Sequence, residues 1–234
     1  MSYSVEEVVQ NLNQNTTLII IAGVVIFVGA YIQYIEAVRL GFKHKTHAIP
    51  FFSNMFFFAH DIFFIALFYR WFYELNHWMY KLFWVALIIF TVLEVMVHYQ
   101  TIKYSRKEIL PQLSQSQFIL AYLGMQVFIA VIFWFIYSQI DDYLFLISFA
   151  ITEILSNVFN IPMLLKRGSR KGQSFLLAIG LLIGSNIGYF FFFGPLVSSH
   201  FNSPLYFTMG ACLTILNLIY IAMLKKTPAF ALKV

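Results

Sequence analysis

Charge is what this chain has least of: 11% of its 234 residues are Asp, Glu, Lys or Arg, where soluble domains carry about a quarter. So few ions cannot keep a surface of this size in water, which excludes an ordinary soluble enzyme. Cysteine is nearly absent too. The single Cys212 lies in an apolar stretch, so no intramolecular disulfide and no thiolate metal cluster can form. The first sixteen residues lack the basic n-region and cleavage site of a signal peptide, and are expected to be retained. No His-x-x-x-His occurs, so neither a metal site nor a cofactor is expected. What the chain has instead is apolar mass: 61% hydrophobic residues and a mean hydropathy of +0.78. The fold class this implies is an all-α integral membrane bundle. Aromatic residues number 28 Phe, 14 Tyr and 4 Trp, more than interface belts require, and they point to an aromatic-lined interior.

At about 20 apolar residues per span, the chain divides into seven segments, 17–36, 50–70, 80–100, 116–138, 143–165, 174–195 and 204–224. Residues 1–16 form an N-terminal interfacial segment, 17–224 the seven-helix domain and 225–234 a tail. Thirteen of the 15 Lys and Arg residues follow the first, third, fifth and seventh segments: Arg39, Lys43 and Lys45, then Lys103, Arg106 and Lys107, then Lys166, Arg167, Arg170 and Lys171, then Lys225, Lys226 and Lys233. Only Arg70 and Lys81 lie at the other end. The positive-inside bias therefore places the C-terminus in the cytoplasm and the N-terminus outside. Topology accounts for the net charge of +5, and no nucleic-acid partner is implied.

Ser4 and Glu7 have capping-box spacing, and Val5, Val8, Val9 and Leu12 share a helical face, so a short helix lying in the outer interface is expected. The sequon at Asn15-Thr16-Thr17 abuts the first segment and is expected to be unused. Gly180, Gly184 and Gly188 form a small-residue stripe that would let another helix approach closely. Asp141-Asp142 reads as a solvated turn.

Ionisable groups inside spans are costly and mark function by default. Three qualify: Asp61, Glu94 and Glu153. Counted from the basic ends, Asp61 lies roughly 18 Å deep, Glu153 about 19 Å and Glu94 roughly 12 Å. Two layers are expected, a deeper one with Asp61, Glu153 and Gln126 and a shallower one with Glu94 and Asn217. His98 stands one turn from Glu94 on the same face, and His60 adjoins Asp61 but projects about 100° round the helix. No cationic side chain stands at either level, and a carboxyl that keeps its proton is a general acid. Retinal attachment as in microbial rhodopsins would need a lysine within the last segment. Lys225 and Lys226 come after it.

The chain resembles the seven-span membrane terpene cyclases of fungal meroterpenoid and indole-diterpene pathways. The matching stretches are Gln33-Tyr34, Gly41-Phe42-Lys43, Thr46, Pro50 with Asn54, Ile102-Lys103, Lys107-Glu108, Leu164-Leu165, Arg167-Gly168-Ser169, Gly172, Ser174, Gly184-Ser185, Asn202-Ser203-Pro204-Leu205 and Leu213-Thr214. The resemblance implies a metal-independent cyclase that protonates an epoxidised prenyl chain on a lipophilic substrate. It also implies the bilayer as surroundings and a place downstream of a prenyltransferase or epoxidase, with which the protein could associate. The membrane would be the endoplasmic reticulum in a eukaryote or the inner membrane in a bacterium. The acidic pair that the resemblance implies falls on Phe58 and Asn217, neither of which is acidic. Glu94, in the same layer, is the expected relocated acid, with Asp61 second and Glu153 third. Asn54, Phe57, Phe58, His98, Gln126, Tyr189 and Asn217 are expected to contact substrate. Phe56, Phe63 and Trp134 are further candidate rings for holding a carbocation.

The alternative is a carrier or lipid-binding protein on a related bundle, for which the loops Lys43 to Ala48 and Arg167 to Phe175 are faintly alike. Pocket shape separates the two: a cavity closed on the outer side and open to lipid favours a cyclase, a pore gated on both faces a carrier.

Overall fold

A computed structural model describes residues 3–231. Lys233, counted above with the tail, and the first two residues of the N-terminal segment lie outside the described residues. The described chain is helical throughout. An amphipathic helix α1 (Val5–Gln14) is followed by α2 (Thr16–His44), α3 (Phe51–Ala66), α4 (Trp78–Tyr104), α5 (Gln115–Ile140), α6 (Leu146–Arg167), α7 (Phe175–Val197) and α8 (Pro204–Lys226). Six of these, all but α1 and α3, are long and apolar enough to cross a membrane. The protein is an integral membrane protein. Helix α3 has 16 residues, or about 24 Å, and helical turns continue beyond it to Glu74.

Local chemistry sets the helix ends. Ser114 and Gln117 form a complete capping box at α5, and Ser203 caps α8 ahead of Pro204. Pro162 has no N–H to return to Val158, and α6 breaks there between Val158 and Asn160. The glycine stripe of α7 meets Gly29 of α2, where a Cβ on Gly180 would stand 2.7 Å from the Gly29 carbonyl. That contact makes α2 and α7 the closest-packed pair.

Two expectations at the sparsely charged end are corrected. Ser4 accepts the Glu7 amide at 3.2 Å, but the Glu7 carboxylate does not complete the box. It reaches across to Ser198 Oγ (3.1 Å) and the Ser199 amide (2.7 Å), while Asn11 donates to the Val197 carbonyl. These bonds hold the Glu7 carboxyl below its ordinary range, the Ser199 amide contributing most. Helix α1 thus docks on the bundle, burying Val8 and Leu12 completely. Asp142 is not solvated either. It is 2% exposed, accepts the Tyr3 hydroxyl at 2.5 Å and caps α6 through the amides of Ile147 and Ser148. A carboxylate at a helix N-terminus meets unpaired N–H groups there, which is why it can be buried.

At the basic end the Arg167 side chain is buried and ties three loops together. It donates to Glu108 (2.9 Å), Thr46 (3.1 Å) and the carbonyls of His47 (3.0 Å) and Lys171 (2.7 Å). Gly172, in the left-handed region at φ 71°, gives its amide to His44. Thr46, Glu108, Arg167 and Gly172 all belong to the stretches that carry the family resemblance. Their common task is to lock the loops.

Candidate active site

Helices α2 and α4 touch along their basic halves and part toward the other end. The contacts are Gln100 to the Val38 carbonyl (2.8 Å), Tyr34 to Glu94 and Tyr31 to the Ala86 carbonyl (3.3 Å). Beyond Tyr31 the gap widens into a chamber of about 370 Å³, within the usual size of a small-molecule site. Its inner wall is aromatic: Phe27, Phe83, Phe145, Phe149, Tyr189 and Phe193. Ile20, Val24, Val28 and Leu82 border it on the outside of the bundle, each about half exposed. A wall of half-exposed aliphatics between two spans is an opening toward lipid. The far end is covered, because Val8 and Leu12 of α1 pack in one cluster with Ile19 and Leu144 of the chamber wall.

A smaller polar pocket of about 50 Å³ adjoins the chamber, and the two share Ile26, Phe27 and Phe149. The three carboxyls singled out in the sequence line it, Asp61, Glu94 and Glu153, each at most 7% exposed. The three carboxyls, expected in two layers, therefore share one pocket. Depth along a helix fails as a guide here because crossed helices bring unequal sequence depths to one height. Tyr34 donates its hydroxyl to Glu94 Oε1 at 3.0 Å, and Glu94 Oε2 has no partner. Asn54 holds the helix beneath it through the Glu94 carbonyl at 3.3 Å. His60 Nδ1 lies 2.8 Å from Asp61 Oδ1. Their side chains lean toward each other across the 100° that separates them on the helix. Gln33, Thr152 and Ser185 complete the polar rim beside Glu153.

The other expected contacts divide clearly. Phe57 lines the polar pocket and Tyr189 the chamber, where its hydroxyl is taken by the Leu146 carbonyl. Phe58 turns its edge to His98, ring centroids 5.0 Å apart, and His98 in turn bonds Tyr122 at 2.7 Å. Neither lines the site. Gln126 donates to the Met55 carbonyl, a tie between α5 and α3. Asn217 is buried but is not among the lining residues, so Glu94 faces Tyr34 and the other carboxyls and not α8. Of the candidate rings, Phe56 and Phe63 pack on Phe133, and Trp134 is 59% exposed on the outside of α5. Sequence reasoning missed Tyr34 as a partner of Glu94, the chamber ring Phe145, and the reciprocal amide pair Asn157–Asn186 that joins α6 to α7.

The arrangement is an apolar aromatic chamber with carboxyl groups at one end, the layout a carbocation reaction needs. Residues 6–227 match the family of Pyr4-like transmembrane terpene cyclases. The chain belongs to this family. It is an enzyme, a membrane-embedded terpene cyclase. Comparison with curated proteins and with solved structures finds no match.

Proposed function

We propose that this cyclase works without metal, by protonating an epoxidised prenyl chain on a lipophilic substrate, with Glu94 as the acid. The observation that carries the reading is the Glu94 carboxyl itself. One of its oxygens takes the Tyr34 hydroxyl, the other has no partner, and both sit at the polar end of an apolar chamber. The free oxygen can present a proton to the epoxide, the C–O bond opens, and successive double bonds attack the cation while the aromatic wall stabilises it. Phe58 and Asn217, where the resemblance implies acids, then need no role in proton delivery.

The finer topology belongs to the same proposal: α3 with its added turns is the seventh span, the N-terminus lies outside and the basic end faces the cytoplasm. The enzyme would sit in the endoplasmic reticulum or a bacterial inner membrane, beside the prenyltransferase or epoxidase that supplies its substrate. A carrier would need access from both aqueous faces. Family membership and a sideways opening both support catalysis.

The test is to incubate membranes containing the protein with epoxidised farnesyl or geranylgeranyl aromatics and look for a product of unchanged mass and altered retention. General acids contribute ~10²–10⁴-fold, so Glu94→Gln, which keeps the Tyr34 contact, should lower turnover at least about 100-fold. Glu153→Gln is the control and should keep most activity. Full activity in Glu94→Gln would sink the assignment.

A further inference from the structure

A cyclisation that begins with a proton must end by losing one, and the polar pocket holds a second apparatus that the acid does not use. His60 is 1% exposed and stands at the junction of pocket and chamber. Its ring meets Phe145 and Phe149, both chamber residues, at centroid distances of 5.5 and 6.0 Å, and Phe133 at 5.8 Å from the third side. Nδ1 is engaged by Asp61 Oδ1 at 2.8 Å, and Nε2 has no hydrogen-bond partner. A hydrogen on Nε2 would have no acceptor in this aromatic box. The tautomer that satisfies the site carries its hydrogen on Nδ1, donated to Asp61, and leaves a bare lone pair on Nε2. A buried lone pair without a partner is costly, and a catalytic role is one reason for a protein to keep it.

Phe145 strengthens the case. It sits in the left-handed region at φ 62°, costly for an aromatic residue, and it is held there by the Asp142 cap, whose carbonyl accepts its amide at 3.0 Å. The strained turn puts the ring edge-on against His60 and in the chamber wall at once.

Building on the cyclase reading, we infer that the His60–Asp61 pair is the terminating base. In the last step a C–H bond next to the cationic carbon breaks. Its electron pair becomes the new C=C bond and its proton passes to His60 Nε2. The imidazolium so formed is paired with the Asp61 carboxylate. Glu94 has given up one proton and His60 has gained one. Return of that proton across the pocket that Asp61 and Glu94 share resets the enzyme, and substrate and product remain isomers. The division is functional: Glu94 starts the cation, His60 decides where it ends.

The experiment compares product profiles of the purified full-length protein in lipid. His60→Phe suits the aromatic box and His60→Gln keeps a side-chain amide beside Asp61. Asp61→Asn keeps the shape but removes the charge that pairs with the imidazolium, and so weakens the base. In all three, substrate consumption should persist while the native alkene falls at least about 10-fold relative to alternative alkenes and water-quenched alcohols. A purely structural His60 would lower melting temperature and rate together and leave product ratios unchanged, which would overturn the inference. Loss of all consumption in a folded Asp61→Asn protein would also overturn it, by making Asp61 the acid. Wild-type protein inert on every epoxidised prenyl substrate would overturn the cyclisation chemistry and this step with it. An unchanged profile from active variants would remove the base alone.

Discussion

Tyr34 is the residue on which the geometry of Glu94, the proposed acid, turns. Its hydroxyl holds one Glu94 oxygen at 3.0 Å, and that bond leaves the second oxygen as the only place for a transferable proton. Hydrogen bonds to charged or charge-developing groups are worth about 1.5–3 kcal/mol, or roughly 10- to 100-fold in rate. Tyr34→Phe should therefore lower kcat by about that factor with little change in KM, since the ring keeps its packing against Phe57 and Phe90. Steady-state kinetics on the two proteins decide it, and an unchanged kcat would detach Tyr34 from the chemistry. The sequence made the three carboxyls visible because an ion in an apolar span stands out. It could not reveal Tyr34, one of 14 tyrosines, or the His60–Asp61 contact, because side-chain lean is decided by the rings packed around the pair.

Among the elements, the loop after α2 is where pH should be felt. His47 is buried beside the Arg167 guanidinium, with Lys166 and Lys171 near and Glu108 at 3.9 Å, and its Ser105 partner lies at 2.7 Å. Burial first, then the Arg167 charge, push its pKa well below the ordinary histidine range. The unfolded chain then binds the proton more readily than the folded one. Stability is full above the unfolded value of about 6.5 and falls as pH drops below it toward the folded value. The melting temperature of the solubilised protein should decline below about pH 6.5, and His47→Gln should flatten that decline. A slope unaltered by the substitution would place the sensitive group elsewhere. Most element ends were legible from the apolar runs and the basic loops, but α2 continues to His44, eight residues past its expected end at 36. The docking of α1 and the buried Asp142 were not legible, since both depend on partners more than 100 residues away in sequence.

Taken whole, the molecule is a bundle tightened at one end and spread at the other. The basic end is closed by Arg167, and the glycine contact joins α7 to the middle of α2. The other end holds the chamber, capped by α1 and open where α2 and α4 part. Composition indicated the aromatic interior, but which rings form it followed from helix crossing, so Trp134 fell outside while Phe145 and Phe149 fell inside.

The opening between α2 and α4 also fixes the units in which this enzyme's affinity has to be expressed. A substrate that arrives sideways is met at its mole fraction in the bilayer, a two-dimensional concentration that water never sets. Adding empty lipid at constant total substrate dilutes it, so the apparent KM in molar terms should rise in proportion to lipid while KM in mole per cent stays constant. Reconstituted protein assayed at several lipid-to-substrate ratios would show this directly, and a molar KM indifferent to lipid would mean delivery from the aqueous side. Under such surface dilution, flux would depend on the amount of membrane as well as on the amount of enzyme.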